Sequence, residues 1–327
     1  MNYSDSVYGS YEINDSVLLD LINSEALQRL TGVLQHGVSA LVGITRETSR
    51  FEHSLGVMYL VKMLGGSLEE QIASILHDVS HTVFSHVIDY VFGSYNTQSY
   101  HEIHKLAYIS STDIPDILKR HKYDWEELVN EENFSLLEQE IPKLCADRLD
   151  YFLRDAKDLG VASDLEVSNC IRNLLNFHGR IVVNHIEPAR WMGYSFIEAD
   201  KRSWANFREV GLYELAAKAI RRGLEIDYIS HDDLWGQDKD IWNYLGLCSD
   251  EELQYNYRRV NADTQFVWDE ESPEFRISTK LRSIDPEILL NGSPKTLSEL
   301  DEEFSIYREN YISENSGKWP MRVISSM

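Results

Sequence analysis

Cysteine is scarce in this sequence, which has only Cys145, Cys170 and Cys248. Three widely separated thiols argue against a disulfide framework and against a thiolate-type zinc site, and they suit a reducing cytoplasm. No apolar run approaches the roughly 20 residues that a bilayer-spanning helix needs. The N-terminus has neither the basic region nor the apolar core of a signal peptide. We therefore expect a cytoplasmic protein with no membrane partner.

Positive charge is also in short supply, since 31 lysine and arginine residues face 54 acidic residues and the formal net charge is −23. A field of that sign repels polyphosphate backbones, so we expect no non-specific binding of nucleic acid. A small phosphorylated substrate held by a local cluster of cations is still compatible with it. At 327 residues, the chain needs neither disulfides nor a metal simply to fold.

The first 175 residues contain signals for the starts and ends of helices. Apolar residues recur at helical spacing over "SVLLDLINSEALQRLTGVLQHG", which ends at Gly37, and over "HSLGVMYLVKMLGG". Ser67 with Glu70 indicates a capping box before "SILHDVSH". "EIPKLCADRLDYFLRDAKDLG" has Pro142 near its start and Gly160 at its end, which predicts a further helix.

The second part of the chain is mixed. "GRIVVNHIEPAR" (179–190) predicts a strand or hairpin, "SWANFREVGLYELAAKAIRRGLEIDYIS" a helix, and "TQFVWDE" and "EFRISTKLRSI" strands around a turn. We predict a mainly α protein, with a helical core over 1–178. A smaller α+β portion over 179–327 packs on this core to form one continuous unit.

Histidine is concentrated in one region, because six of the eleven histidines fall within 52 residues: His53, His77, His81, His86, His101 and His104. A single histidine on an apolar helix is usually a partly buried polar group with a hydrogen-bond partner. Six on consecutive predicted helices indicate a metal or catalytic site instead.

His77 and Asp78 are adjacent at a predicted helix end, about 100° apart around the axis. Both reach one ion only if that ion lies just beyond the helix end, so further ligands must come from other elements. His53 on the preceding helix is one candidate. A carboxylate from a later helix would complete a mixed nitrogen and oxygen set, which suits Mn, Fe, Zn, Ni, Co or Mg better than a soft metal.

The later carboxylate has a candidate in "ADRLDYFLRD". Asp147, Tyr151 and Asp155 are spaced i, i+4, i+8 and share one helix face. Asp150 lies about 60° from Asp147 around the axis, and it is placed to pair with Arg154 on the surface. Spacing alone leaves open whether Asp147 is a ligand.

Four blocks in order resemble the HD-domain phosphohydrolases: "RFEHSLGV" (50–57), "HDVSHTVFSH" (77–86), "YHEIH" (100–104) and "DRLDYFLRD" (147–155). Within that family the sequence is most similar to the branch of dNTP triphosphohydrolases that includes proteins with an added sterile-alpha-motif domain and their bacterial relatives. "KLRSIDPEILLNGSPKTLSELDEEF" (280–304) resembles the C-terminal region of the same branch. No sterile-alpha-motif domain is present.

The resemblance implies roles for named residues. It makes one divalent ion the cofactor and makes four residues its ligands: His53, His77, Asp78 and Asp147. It places five residues near the scissile phosphate: His81, His86, Asp89, His101 and Glu102. It implies substrate contacts from a further five: Gln35 at the sugar, Arg50 at a phosphate, Arg148, Tyr151 and Asp155. We assign proton donation to the leaving oxygen to His86, with His101 and Glu102 as the alternative or as an orienting pair.

Two positions depart from the family pattern. Ser80 replaces the glycine of the common "HDLGH". The basic helix with which the triphosphohydrolases help to hold the triphosphate corresponds to "REVGLYELAAK" (208–218), which has lost most of its positive charge. Five other cations are candidates to replace it: Lys201, Arg202, Arg208, Arg221 and Arg222.

The sequence therefore predicts a metal-dependent phosphohydrolase acting on nucleotides. The leading reaction is dNTP triphosphohydrolysis to deoxynucleoside and triphosphate. Alternatives are a nucleotidase or phosphodiesterase with a less charged nucleotide or other phosphate ester, and a non-catalytic nucleotide sensor or scaffold that keeps the metal site. The resemblance also implies a homo-oligomer, a dimer or a larger assembly.

Overall fold

A computed structural model describes residues 1–325 and shows a mainly helical chain. The α-helices are, in chain order, α1 Ser16–Ile22, α2 Glu25–Arg29, α3 Val38–Leu41, α4 Arg50–Met63, α5 Leu68–Leu76, α6 Val87–Phe92, α7 Tyr100–Ser110, α8 Ile114–Arg120, α9 Trp125–Leu128, α10 Ala146–Asp158, α11 Asp164–Arg172, α12 Ile186–Ala199, α13 Phe207–Glu225, α14 Asp238–Gly246, α15 Glu251–Tyr257, α16 Leu297–Leu300 and α17 Glu302–Asn315. A π-helical turn, Asp200–Trp204, separates α12 from α13. None of the described helices is both long enough and apolar enough to cross a bilayer.

Among residues 1–325, nine short strands form three small sheets. They are β1 Asn2–Asp5, β2 Gly9–Glu12, β3 Leu174–Phe177, β4 Arg180–Val183, β5 Gln265–Trp268, β6 Phe275–Ile277, β7 Glu287–Leu290, β8 Ser293–Thr296 and β9 Trp319–Ser325. The strand orders are β1-β2, β3-β4-β7-β8 and β5-β9-β6. All but β1 and β2 lie in the second half of the chain, so the predicted fold class, mainly α with a smaller α+β portion, is confirmed. The β3–β4 hairpin spans residue 178, and the division into two portions there stays a prediction.

Three apolar clusters hold these elements together. One joins α10, α12 and α17 around Phe152 and Phe196, a second joins α6, α13 and the three-stranded sheet, and a third joins α1, α5 and α8. Each fully buried large side chain contributes about 1.5–3 kcal/mol of transfer free energy. The cavity that carries the predicted site residues lies among the helices that these clusters fix.

Several predicted boundaries are wrong in instructive ways. The first predicted helix is broken after Ile22, where Ser24 caps a new helix by accepting from the Leu27 N–H at 3.2 Å. The helix predicted near Pro142 begins only at Ala146. The predicted strand over 179–190 ends at Val183, because Ile186 already begins α12.

Two caps set the positions of the site helices. Ser49 and Glu52 form a capping box that begins α4 at Arg50, which places His53 on the first turn. Ser67 caps α5 by accepting from the Glu70 N–H at 3.2 Å. The Glu70 carboxylate does not complete the predicted box, since it accepts from the Leu136 N–H at 2.7 Å. α5 ends at Leu76, so His77 and Asp78 stand at its C-terminal end as predicted.

Candidate metal centre and active site

Two histidines and a carboxylate meet where the end of α5 faces α4 and α10. His53 Nε2 lies 2.9 Å from Asp147 Oδ1 and 3.2 Å from His77 Nε2. His77 Nε2 lies 3.5 Å from the same Asp147 oxygen. These three side chains are close enough together to share one metal ion.

Asp78, the fourth predicted ligand, lies beside this group. Its Oδ1 lies 3.5 Å from His77 Nε2, and its Oδ2 lies 3.6 Å from His53 Nε2, although it also forms a second group that could hold a metal ion, with His81 and His101. A mixed set of imidazole nitrogens and carboxylates suits a borderline or hard divalent ion, and the assignment of Asp78 to the same ion as His53, His77 and Asp147 stays a prediction. The residues are therefore positioned to bind a metal.

Hydrogen bonds at Nδ1 of His53 and His77 leave Nε2 of each ring facing the predicted metal site. His77 Nδ1 lies 2.7 Å from the Ser74 carbonyl oxygen. Because a carbonyl only accepts, Nδ1 donates and Nε2 is left as the metal-facing nitrogen. Burial alone would lower the pKa of His77, but Asp78 and Asp147 outweigh it and raise this pKa to about 10. The four side chains therefore attract positive charge, as a cation site must.

Asp150 accepts a hydrogen bond from His53 Nδ1 and so orients this ring in the same way. The prediction that Asp150 lies on the surface is wrong. Its carboxylate is fully buried and lies 2.7 Å from His53 Nδ1. It does pair with Arg154 as predicted, at 2.7 Å from Nε, but inside the protein, where Arg154 also binds Asp5 at 2.7 Å. Asp150 is thus a supporting partner of a metal-binding histidine, a role that its i+3 spacing from Asp147 could have indicated.

Three histidines pack together beside the metal-binding group. The His81 and His101 rings stack with centroids 3.7 Å apart, and the His86 ring stands edge-on to both. His81 Nε2 contacts Asp78 Oδ1 at 3.2 Å, and His101 contacts Glu102 at 3.0 Å. All three histidines and Glu102 line one cavity with the four predicted metal ligands.

The hydrogen bonds of His86 indicate which of its two ring nitrogens carries the proton. Its Nδ1 lies 3.1 Å from Asp89 Oδ2, and Asp89 is itself held by the Tyr100 N–H at 3.0 Å and by Ser94. Burial lowers the pKa of His86 to about 4, so the ring is neutral at pH 7. With Nδ1 donating to Asp89, Nε2 is left to exchange a proton with a ligand. Asp89 orients His86 and does not itself line the cavity.

Arg50 ties the metal-binding group to the loop before α6. Its Nη1 donates to Asp78 Oδ2 at 2.6 Å and its Nε to Ser85 Oγ at 2.9 Å. Phe84 and Ser85 both have positive φ, 61° and 49°, a conformation that is costly for non-glycine residues. The buried Asp238 holds this loop, because it accepts from the Phe84 N–H at 2.8 Å and from the Leu34 N–H at 2.9 Å.

The other predicted substrate contacts divide into two groups. Gln35, Arg148 and Tyr151 line the cavity, and Gln35 Oε1 is buried without a hydrogen-bond partner among the described residues. Asp155 lies behind the wall, where it accepts from Trp204 Nε1 at 2.6 Å and contacts His36 Nε2 at 2.9 Å. Asp155 therefore positions Trp204, which the sequence did not single out.

None of the five cations considered as replacements for the lost basic helix lines this cavity. They bind elsewhere, as Arg222 does to Asp250 at 2.8 Å and Arg221 to the Tyr90 carbonyl at 3.0 Å. The cavity instead receives Lys280 and Arg282 from the irregular segment after β6. Both belong to the 280–304 stretch whose likeness to the family was noted, but no local pattern placed them here.

The cavity has a volume of about 320 Å³. Its lining also includes four aromatic side chains, Phe84, Tyr151, Trp204 and Tyr213. The Tyr151 and Trp204 rings meet edge to face with centroids 4.9 Å apart, and the Tyr151 ring lies 6.5 Å from that of His53. A wider depression of about 680 Å³ lies between α15 and β9 and contains none of the predicted site residues.

Comparison with known proteins agrees with this geometry. The HD-domain family profile matches residues 50–155. A metal-dependent phosphohydrolase of Cordyceps militaris, cns2, is 33% identical over 317 residues, which cover 94% of this chain and 91% of that protein. This chain belongs to the HD-domain metal-dependent phosphohydrolases. The Bacillus subtilis protein YdhJ is 40% identical over 292 residues, 89% of each chain.

More distant relatives of this HD phosphohydrolase give less specific information. The deoxynucleoside triphosphate triphosphohydrolase SAMHD1 of Gallus gallus is 25% identical over 225 residues, 52% of this chain and 36% of that protein. A Bacteroides thetaiotaomicron phosphohydrolase has the same fold, with a TM-score of 0.67 at 18% identity over the whole of both chains. This HD phosphohydrolase is thus a hydrolase acting on phosphate esters, and its substrate is a separate question.

Proposed function

We propose that this enzyme hydrolyses nucleotides, with dNTP triphosphohydrolysis as the specific reaction. The observation that carries the proposal is that one cavity contains the four predicted metal ligands, four aromatic side chains and a Gln35 side-chain oxygen that has no hydrogen-bond partner among the described residues. A phosphate ester of a small apolar alcohol would need the first feature and not the other two.

The aromatic side chains of the cavity suit a nucleoside. Tyr151 and Trp204 offer ring faces and edges against which a base or sugar can pack. Gln35 Oε1 would accept a hydrogen bond from a sugar hydroxyl or a base amino group, which would remove the cost of a buried unpaired acceptor. These contacts support a nucleotide over other phosphate esters.

The metal-binding group suits hydrolysis. His53, His77, Asp78 and Asp147 would hold the divalent ion, which when bound supplies an activated water and polarises the phosphoryl oxygen. Arg50, fixed between Asp78 and Ser85, would contact the phosphate undergoing attack. His86 would take up a proton as the phosphate raises its pKa and pass it to the leaving oxygen, while Asp89 stabilises the imidazolium.

A triphosphate is supported by the cations of the cavity and by the distant likeness to SAMHD1. Four cations line it: Arg50, Arg148, Lys280 and Arg282. A second candidate, a nucleoside monophosphate, is favoured by a different observation. The cavity volume of about 320 Å³ lies at the small end of the range for ligand sites, about 300–1,000 Å³.

A substrate panel tests the proposal. The metal-loaded enzyme would be incubated with dNTPs, NTPs, nucleoside monophosphates and cyclic nucleotides, and the products separated by chromatography. Release of intact triphosphate from dNTPs is the expected result. Orthophosphate from monophosphates would establish the second candidate, and no turnover of any nucleotide with any of the six divalent ions would overturn both.

The homo-oligomer stays a prediction, which light scattering after size-exclusion chromatography would check.

A further inference from the structure

The segment that links β6 to β7, residues 278–286, leaves the C-terminal sheets and reaches the active-site cavity. It has no regular secondary structure, yet Lys280 and Arg282 both line the cavity with the metal-binding residues. Each of these side chains is half-buried. A segment from the α+β portion thus completes a site whose other charged residues come from the helical core.

The two cations differ from the others in the cavity because neither side chain forms an ion pair among residues 1–325. Arg50 pairs with Asp78 at 2.6 Å and Arg148 with Glu138 at 3.1 Å. The Arg282 guanidinium donates only to neutral groups, the Gln98 side-chain oxygen and the Lys280 carbonyl. Carboxylates act on both cations from a distance, Glu138 and Asp147 on Lys280 and Asp200 on Arg282, but none of them forms an ion pair that would occupy the cation's hydrogen-bond donors.

The protein nevertheless holds this arrangement in place. The Arg282 N–H donates to Asp200 Oδ2 at 2.8 Å, and the same oxygen accepts from Tyr311 at 2.6 Å. The Arg282 guanidinium lies 6.0 Å from the Trp204 ring centroid, and Asp200 and Trp204 are the two ends of the π-helical turn. Such turns often mark functional sites. These contacts fix the Arg282 backbone and place the guanidinium near Trp204, while no carboxylate pairs directly with the guanidinium.

We propose that Lys280 and Arg282 form a subsite for the phosphate groups of the substrate that do not undergo attack. This inference rests on the proposed function in taking the substrate to be phosphorylated, and it deepens it by making these two residues select polyphosphate over monophosphate. A fork-shaped guanidinium beside a mobile ammonium matches a chain of phosphate oxygens. The subsite replaces the basic helix that the sequence around "REVGLYELAAK" lacks.

The test uses Lys280→Gln and Arg282→Gln in the metal-loaded enzyme, with inorganic tripolyphosphate and orthophosphate as probes in calorimetric titrations. Each variant should weaken tripolyphosphate binding at least 10-fold and change orthophosphate binding less than 3-fold. With dNTPs, KM should rise in the same proportion while kcat changes less. Lys295→Gln and Arg276→Gln, on β8 and β6 away from the cavity, are the matched controls and should bind as wild type.

Thermal unfolding without ligand separates a binding role from a structural one. Removing a cation that makes no ion pair should leave the melting temperature unchanged or raise it, and Arg282→Lys should recover part of the tripolyphosphate binding. A lowered melting temperature together with equal loss of both probes would show a structural role and overturn the subsite.

Failure of the subsite and failure of the proposed function give different results. If no nucleotide is hydrolysed, weaker tripolyphosphate binding by the variants still supports the subsite. If dNTPs are hydrolysed and both variants keep wild-type KM and tripolyphosphate affinity, the subsite is refuted and the proposed function stands.

Discussion

Asp150 offers the sharpest test of how the metal centre is supported. Its buried carboxylate serves His53 Nδ1 at 2.7 Å and Arg154 at 2.7 and 3.0 Å. The Asp150→Asn change keeps the size of the side chain but turns one oxygen into an NH₂ group. That group cannot accept a hydrogen bond. At the Oδ2 position it removes the acceptor that His53 Nδ1 and Arg154 Nε share, and at the Oδ1 position it removes the acceptor of Arg154 Nη2. In both orientations the negative charge beside His53 is lost.

The expected magnitudes follow from these contacts. Loss of a partner behind a metal-binding histidine typically weakens metal binding by about 10–100-fold, or about 1.4–2.7 kcal/mol. Breaking a buried ion pair costs about 3–5 kcal/mol, and the low end applies because Arg154 keeps Asp5 at 2.7 Å. For a chain of this length the unfolding entropy is about 0.7 kcal/mol/K, so the melting temperature should fall by about 4 °C.

Calorimetric titration of the metal-stripped proteins with Mn²⁺ measures the first effect, and scanning calorimetry measures the second. Asp158→Asn is the matched control, since Asp158 lies on the same helix and contacts only Arg46, at 3.4 Å near the surface. It should change neither quantity measurably. Wild-type metal affinity in Asp150→Asn would refute the supporting role assigned to this carboxylate.

Three further changes probe the same cavity. Gly56→Ala would place a Cβ 2.0 Å from Asp150 Oδ1, so we expect destabilisation by about 3 kcal/mol and weaker metal binding, measured as above; a normal melting temperature would contradict this close approach of α4 and α10. Burial raises the pKa of Asp238 from 3.8 to about 7. The protonated carboxyl group therefore contributes to the stability of the folded protein, and this contribution is complete below pH 3.8 and is lost as the pH rises to about 7. Asp238→Asn does not titrate and should gain on the order of 4 kcal/mol relative to wild type between about pH 4 and about pH 8; equal differences in urea unfolding at both pH values would show that Asp238 does not titrate in this range. Asp89→Asn removes the carboxylate beside His86 Nδ1 and should lower kcat about 100-fold and move the alkaline limb of the pH–kcat profile to lower pH; an unmoved limb would exclude His86 as the acid.

Features of the site that depend only on residues close together in the sequence, such as helix caps and i, i+4 spacing, were predictable. Ser67 was predicted to cap the helix that ends before His77, and it does so. The Ser49 cap, which begins the helix that carries His53, was not singled out from the sequence. The i, i+4 relation of Asp147 and Tyr151 likewise holds along α10, and both residues line the cavity.

Features that depend on tertiary packing were not predictable from spacing. Asp150 and Arg154 have the pattern of a surface pair, and only the close approach of α4 at Gly56 buries them. Lys280 and Arg282 lie over 120 residues beyond the nearest predicted ligand, and an irregular segment brings them to the cavity. β9 joins β5 and β6 in one sheet from more than 40 residues away, which no periodicity within β5 or β6 indicates.

The central claim is that His53, His77, Asp78 and Asp147 hold the ion on which phosphate-ester hydrolysis depends. Elemental analysis of the purified enzyme, of His77→Ala and of Asp78→Ala tests it most directly, with His104→Ala as a control because His104 lies near the cavity without lining it. Wild type and the control should contain about one divalent ion per chain and the other two variants almost none. Unchanged metal content in His77→Ala and Asp78→Ala would contradict the claim.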